Sequence, residues 1–158
     1  MTFLGNVLFH VHYILFVYSI IILQAKLKYR IIFFYGFIIN YAINTILKYI
    51  FFAPCPYLDK EQFYIRLQYE CNNNKFCILP GSLDFPSGHL QSLFYIVFFM
   101  YNFPLTMFDY LVYTLFIVVS IYHIFINKYH TIKSMIVGAL LGSCIGYATY
   151  QVAKKMIT

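Results

Sequence analysis

Ile31-Ile-Phe-Phe-Tyr-Gly-Phe-Ile-Ile-Asn-Tyr-Ala-Ile-Asn-Thr-Ile-Leu-Lys-Tyr-Ile-Phe-Phe-Ala53 carries one charge, at Lys48. A helix needs about 20 predominantly apolar residues, at ~1.5 Å rise each, to cross a hydrocarbon core, and this stretch is long enough. Four more apolar stretches flank it: Phe3–Leu23, Ser87–Phe103, Leu105–Ile126 and Thr131–Val152. The pattern predicts an all-α integral membrane bundle of about five transmembrane helices (spans 3–23, 31–53, 87–103, 105–126 and 131–152) in a single domain covering 1–158. The third stretch is the shortest, so its polar start belongs in the interface or in a protein-lined cavity. Composition agrees, with 62% hydrophobic and only 10% charged residues, against roughly 25% charged in ordinary soluble domains. Phe3–Leu23 has no basic leader and is followed by Lys26, Lys28 and Arg30, which predicts a retained anchor rather than a cleaved signal.

The formal charge is +6, but the eleven Lys and Arg residues are scattered between apolar runs. No basic stripe forms, which excludes nucleic acid as a partner and leaves the lipid bilayer. The one long hydrophilic segment, the loop 54–86, holds four of the five acidic residues: Asp59, Glu61, Glu70 and Asp84. It must lie outside the bilayer. Its Pro54, Pro56, Pro80, Gly81 and the run Asn72–Asn74 predict an irregular loop or short helices. Basic residues after the first span and at Lys154 and Lys155 put those ends in the cytoplasm, with the N-terminus and the long loop on the extracytoplasmic or lumenal side. Cys71 and Cys77, with five residues between them, can pair there or remain thiols, and Cys55 is an equal candidate partner. No Cys-x-x-Cys or helical His pair occurs, so neither a metal nor a cofactor is expected.

Span parity brings three reactive side chains to one membrane face. Lys48 lies near the end of span two, His89 at the start of span three, and His130 in the turn between spans four and five. Two histidines and a lysine beside a hydrophilic loop suit an anion, most simply a phosphate at a lipid–water boundary. Pro86-Ser87-Gly88-His89 adds local geometry, since proline favours a first helical turn and Ser-Gly lets backbone amides approach a ligand. A helix N-terminus there offers unpaired donors and the positive end of its dipole. Ser134, four residues after His130, would share its helix face and hydrogen-bond its ring.

These residues resemble the type 2 phosphatidic acid phosphatase (PAP2) and vanadium haloperoxidase superfamily. Its pattern is Lys-x6-Arg-Pro, then Pro-Ser-Gly-His, then Ser-Arg-x5-His-x3-Asp. The second motif is complete as Pro86-Ser87-Gly88-His89, in the context Asp84-Phe-Pro-Ser-Gly-His-Leu-Gln-Ser92. The first reads Lys48-x6-Cys55-Pro56, and the third reads His123-Ile124-x5-His130-x3-Ser134. Ile136-Val-Gly-Ala-Leu-Leu-Gly142 is similar to the family's closing helix, so the likeness covers roughly Lys48 to Gly146.

The resemblance implies His89 as general acid, His130 as the nucleophile that becomes phosphohistidine, and phosphate contacts from Lys48, Ser87 and Gly88. Cys55, Ile124 and Ser134 stand where the pattern has Arg, Arg and Asp. Losing one charge-assisted donor commonly costs about 2–4 kcal/mol of transition-state stabilisation, so Ser134, Lys128 and Lys133, with Arg66 and Lys75 from the loop, are the candidate supporting groups. The implied function is a metal-free hydrolase, a divergent lipid phosphatase acting on a lipid phosphate or polyprenyl pyrophosphate. The alternative is a catalytically inactive relative that binds anionic lipid or a membrane partner. A third reading, a chance Pro-Ser-Gly-His in a structural membrane protein, predicts that His89 and His130 lie far apart.

The remaining polar and small residues have plainer expectations. His10, His12 and His123 read as packing or interface residues, and Asp109 as interfacial at the opposite face. Gly138, Gly142 and Gly146 predict close helix packing, and Asn40 and Asn44 predict hydrogen bonds between helices.

Overall fold

The computed structural model describes residues 11–51, 83–126 and 129–157. It is an all-α bundle: α1 (Val11–Ile22), α2 (Leu27–Phe51), α3 (Gly88–Met100), α4 (Met107–Ile126) and α5 (Ile132–Ile157). The expectations for His10, Cys55, Arg66, Cys71, Lys75, Cys77, Lys128 and most of the loop 54–86 lie outside the described residues.

A 3-10 turn, Leu23–Ala25, folds α1 back onto α2, with the Lys26 amide donating to the Leu23 carbonyl at 2.9 Å. Helix α2 begins at Leu27, four residues before the apolar run, so Lys28 and Arg30 form its first turn rather than a loop. Helix α4 is opened by Thr106. Its hydroxyl accepts from the Asp109 amide while the Asp109 carboxylate accepts from the Thr106 amide, a reciprocal cap that satisfies two donors of the helix end.

Helix α3 is the axis of the bundle. Its buried residues run all the way round it, from Leu90, Gln91 and Ser92 to Phe99 and Met100, as expected of a helix enclosed by others. That enclosure explains how the shortest apolar segment can begin with polar residues, because protein rather than lipid surrounds it. Helix α2 faces it with a stripe of Phe33, Gly36, Asn40, Asn44 and Lys48.

Helix α5 lies against α3 along Gly138, Gly142 and Gly146. A Cβ at Gly138 would come within 2.5 Å of the Ser87 carbonyl oxygen, and one at Gly142 or Gly146 would collide with the carbonyl oxygens of Gln91 or Tyr95. Only glycine allows backbones this close, so the close packing expected of these three positions is met. The expected bonds from the asparagines are met as well. Asn44 donates to the Gln91 side chain at 2.8 Å, and Gln91 donates to the Asn40 side-chain oxygen at 3.1 Å. The outer faces carry large exposed apolar residues such as Ile38, Ile50, Leu111, Leu115 and Leu140. Such a surface is incompatible with water and suits lipid.

Among the described residues, three helices, α2, α4 and α5, are long and apolar enough to cross a membrane, while Val11–Ala25 and α3 are shorter. The chain is therefore a membrane protein. Chain direction alternates through the bundle, and the start of α1, the end of α2, the start of α3 and the start of α5 meet at one end. Lys26, Lys28, Arg30, Lys154 and Lys155 lie at the other, where Tyr29 stacks on Tyr150 at 6.2 Å.

Candidate functional site

At the first of these ends, Ser87 caps α3. Its hydroxyl accepts from the Leu90 amide at 3.5 Å, and its own amide donates to the Ser134 carbonyl at 3.1 Å. The Ser87 amide is thus engaged by α5, and the anion-facing part of the turn is left to the positions after it. Gly88 fits against Asn44, whose side-chain oxygen would lie 3.0 Å from a Cβ there. A larger residue would have to displace a side chain that also holds the Pro86 carbonyl at 3.3 Å.

His89 is half-buried on this first turn, and its ring lies 5.8 Å from that of His130, centroid to centroid. This distance removes the reading in which the two histidines are far apart. His12, at the start of α1, meets His89 edge to face at 5.2 Å. Expected from sequence to be a packing or interface residue, His12 packs on His89 and so stands beside the site. Lys48 is buried at 5% exposure, and its ammonium donates to the Leu83 carbonyl at 2.6 Å. It reaches the intended region, but one of its three donors ties down the segment that precedes Pro86.

The surroundings of His130 differ most from expectation. Helix α5 starts at Ile132, so His130 precedes it and does not share a helical face with Ser134. Instead of holding the ring, the Ser134 hydroxyl donates to the Asp84 carbonyl at 2.6 Å. The ring is held by the Asp84 carboxylate, with Nδ1 2.9 Å from Oδ1. The same carboxylate accepts from the Thr131 amide at 3.1 Å and from its hydroxyl at 2.6 Å. Neither Asp84 nor Thr131 was among the expected site residues.

Burial works against the Asp84 carboxylate, yet the donors from His130 and Thr131 outweigh it and hold its carboxyl below the ordinary range. Burial pushes the His130 imidazole down and the nearby Lys48 charge adds to this, against the opposing pull of Asp84. An ionised Asp84 beside a neutral His130 is the state that both shifts favour near neutral pH. An ionised carboxylate only accepts hydrogen bonds, so Nδ1 must carry the proton and Nε2 the lone pair.

The other expected positions divide. Lys133 is exposed, one residue round the helix from the buried Ser134. Ile124 is 3% exposed within the apolar core, so the position where the family pattern has arginine serves packing. His123 packs on Tyr129 at 5.5 Å, in keeping with its expected packing role. Asp109 accepts from Tyr18 at 2.5 Å, far along α4 from the histidines. Among the described residues no group of three or more His, Cys, Asp or Glu side chains is arranged to hold a metal ion.

A family model, the PAP2 superfamily, matches residues 29–157. No curated protein and no solved structure matches the chain.

Proposed function

Since the chain belongs to the PAP2 superfamily, we propose that it hydrolyses a lipid phosphate or a polyprenyl diphosphate at a membrane surface, through a phosphohistidine on His130. The observation that carries this reading is the 5.8 Å separation of the His89 and His130 rings at the N-terminus of α3. A phosphoryl group seated there meets a lone pair on Nε2 of His130 and the positive end of the α3 dipole.

Nε2 attacks phosphorus, the P–O bond to the lipid breaks, and protonated His89 gives its proton to the leaving oxygen. Water then attacks phosphorus with His89 taking its proton, the P–N bond breaks with its electron pair returning to Nε2, and inorganic phosphate and neutral His130 result. Lys48, whose ammonium has three donors, and the Gly88 amide at the N-terminus of α3 supply the phosphate contacts, the Ser87 amide being taken by the Ser134 carbonyl. Among the described residues, the basic groups at Lys26–Arg30 and Lys154–Lys155 stand at the opposite end from the histidines, which supports an extracytoplasmic or lumenal site.

Purified protein in detergent should release phosphate from phosphatidic acid or a polyprenyl diphosphate, and His130→Ala should abolish release. Equal release by the variant would sink the assignment. A second reading, an inactive relative that binds anionic lipid, is favoured by Lys48 being engaged on Leu83 and by Ile124 lying in the core. It predicts vanadate or phosphatidic acid binding without turnover.

A further inference from the structure

We propose that Asp84 is the positioning residue for His130, a carboxylate supplied by the segment before Pro-Ser-Gly-His in place of the acid that the family pattern carries at position 134. The proposal rests on the phosphatase reading and names the group that makes its nucleophile competent.

Position 134 holds a serine, and a serine hydroxyl cannot offset the positive charge that grows on an imidazole as Nε2 bonds to phosphorus. A carboxylate on Nδ1 can, and it also fixes the tautomer with the lone pair on Nε2. Asp84 meets the geometric demand. Its Oδ1 lies 2.9 Å from Nδ1, and its side chain is only 6% exposed, so little water screens the pair.

The carboxylate is itself oriented from several sides. Thr131 donates twice, with its amide to Oδ1 and its hydroxyl to Oδ2. The backbone that carries Asp84 is pinned on both sides of the side chain, by Ser134 on the Asp84 carbonyl and by Lys48 on the Leu83 carbonyl, each at 2.6 Å. Burying an ionised carboxylate is costly unless it is paired and hydrogen-bonded, and a segment needed only to close the bundle would be served by an apolar residue. Two of the pinning residues, Lys48 and Ser134, stand at family motif positions. Both act here on the segment that delivers the acid, so the serine at 134 and the aspartate at 84 form one arrangement.

In the proposed reaction Asp84 keeps its negative charge throughout. The proton on Nδ1 stays between the ring and Oδ1, and the electron pair forming the N–P bond comes from Nε2. When water cleaves that bond the pair returns to Nε2 and the ring is again neutral.

The test compares wild type with Asp84→Asn and Asp84→Glu in detergent, reading kcat, KM, melting temperature and the 15N spectrum of His130. Asp84→Asn should lower kcat by about 100-fold or more, with KM within a few-fold and with a folded, monodisperse protein. Asp84→Glu should recover part of the loss, because the charge returns at a different reach. The spectrum should show Nδ1–H in wild type and a gain of Nε2–H in Asp84→Asn, which a role confined to holding the bundle together would not produce. If Asp84→Asn does not fold, the wild-type spectrum decides alone, since a predominant Nε2–H form overturns the proposal. Unchanged kcat in a folded Asp84→Asn also overturns it. Wild-type protein with the Nδ1–H form but no turnover on any lipid phosphate would overturn the phosphatase reading and leave the Asp84–His130 pairing standing.

Discussion

The hydroxyl of Ser134 donates to the backbone carbonyl of Asp84 at 2.6 Å, across 50 positions of chain. The residue that occupies the acid's place in the family pattern therefore holds the main chain of the residue that supplies an acid. Ser134→Ala leaves a buried carbonyl without its donor, a loss of about 1–3 kcal/mol, and the melting temperature should fall by several degrees with a smaller loss of turnover than in His130→Ala. Ser134→Asp restores the letter of the family pattern but places a second carboxylate beside a buried one, and two such groups cannot both stay ionised. Turnover in Ser134→Asp should fall at least tenfold. A gain in turnover would show that the serine, not the aspartate at 84, limits the site.

The pH profile of phosphate release should carry the same signature. Only neutral His130 has a lone pair to give, and burial together with Lys48 holds its imidazole below the ordinary histidine value of 6.5. Because the folded group protonates at lower pH, the acid limb of kcat/KM should fall below pH 6.5, once the substrate's own ionisation is measured and removed. Lys48→Met takes away the repelling cation, so protonation becomes easier and the limb should move up towards neutral pH. A limb above 6.5 in wild type, or one that Lys48→Met leaves unmoved, would contradict a buried His130 as the titrating base.

Much of the architecture was legible because it depends on local pattern. The apolar runs specified helices, three of them among the described residues long enough to cross a membrane, and chain parity alone put Lys48, His89 and His130 at one end. The contacts of these residues depended on loop geometry, which no periodicity encodes. Asp84 was visible in the sequence as one of four acids in a hydrophilic loop and as the residue two before Pro86. Its partner, however, lies 46 positions away. The misreading of Ser134 follows from one boundary: α5 begins two residues after His130, so the four-residue helical spacing did not apply. For Ile124, a buried apolar residue at the end of α4 serves the core, and motif position alone gave it no other role.

Gly142 connects the packing of the bundle to its chemistry. A methyl group there would strike the carbonyl oxygen of Gln91 on α3, and backbone cannot rotate aside as a flexible side chain can. Gln91 also bonds Asn44 and Asn40, so a shift of α3 disturbs its register with α2 as well as with α5. Gly142→Ala should lower stability by about 1–3 kcal/mol, the usual range for overpacking, and Gly142→Leu should prevent a stable fold in mild detergent. The effect on turnover follows from lever geometry. His89 rides on α3 while His130 is fixed at the head of α5, so parting the two helices widens the gap between rings that now lie 5.8 Å apart. Folded Gly142→Ala should therefore lose more in kcat than in vanadate affinity, because binding tolerates a slightly wider pocket, whereas in-line attack by His130 with proton donation from His89 to the leaving oxygen does not. Thermal unfolding, vanadate titration and single-turnover phosphate release on the same preparation would separate these effects. Undiminished stability in Gly142→Ala would mean that α3 and α5 are not held together at the glycine stripe.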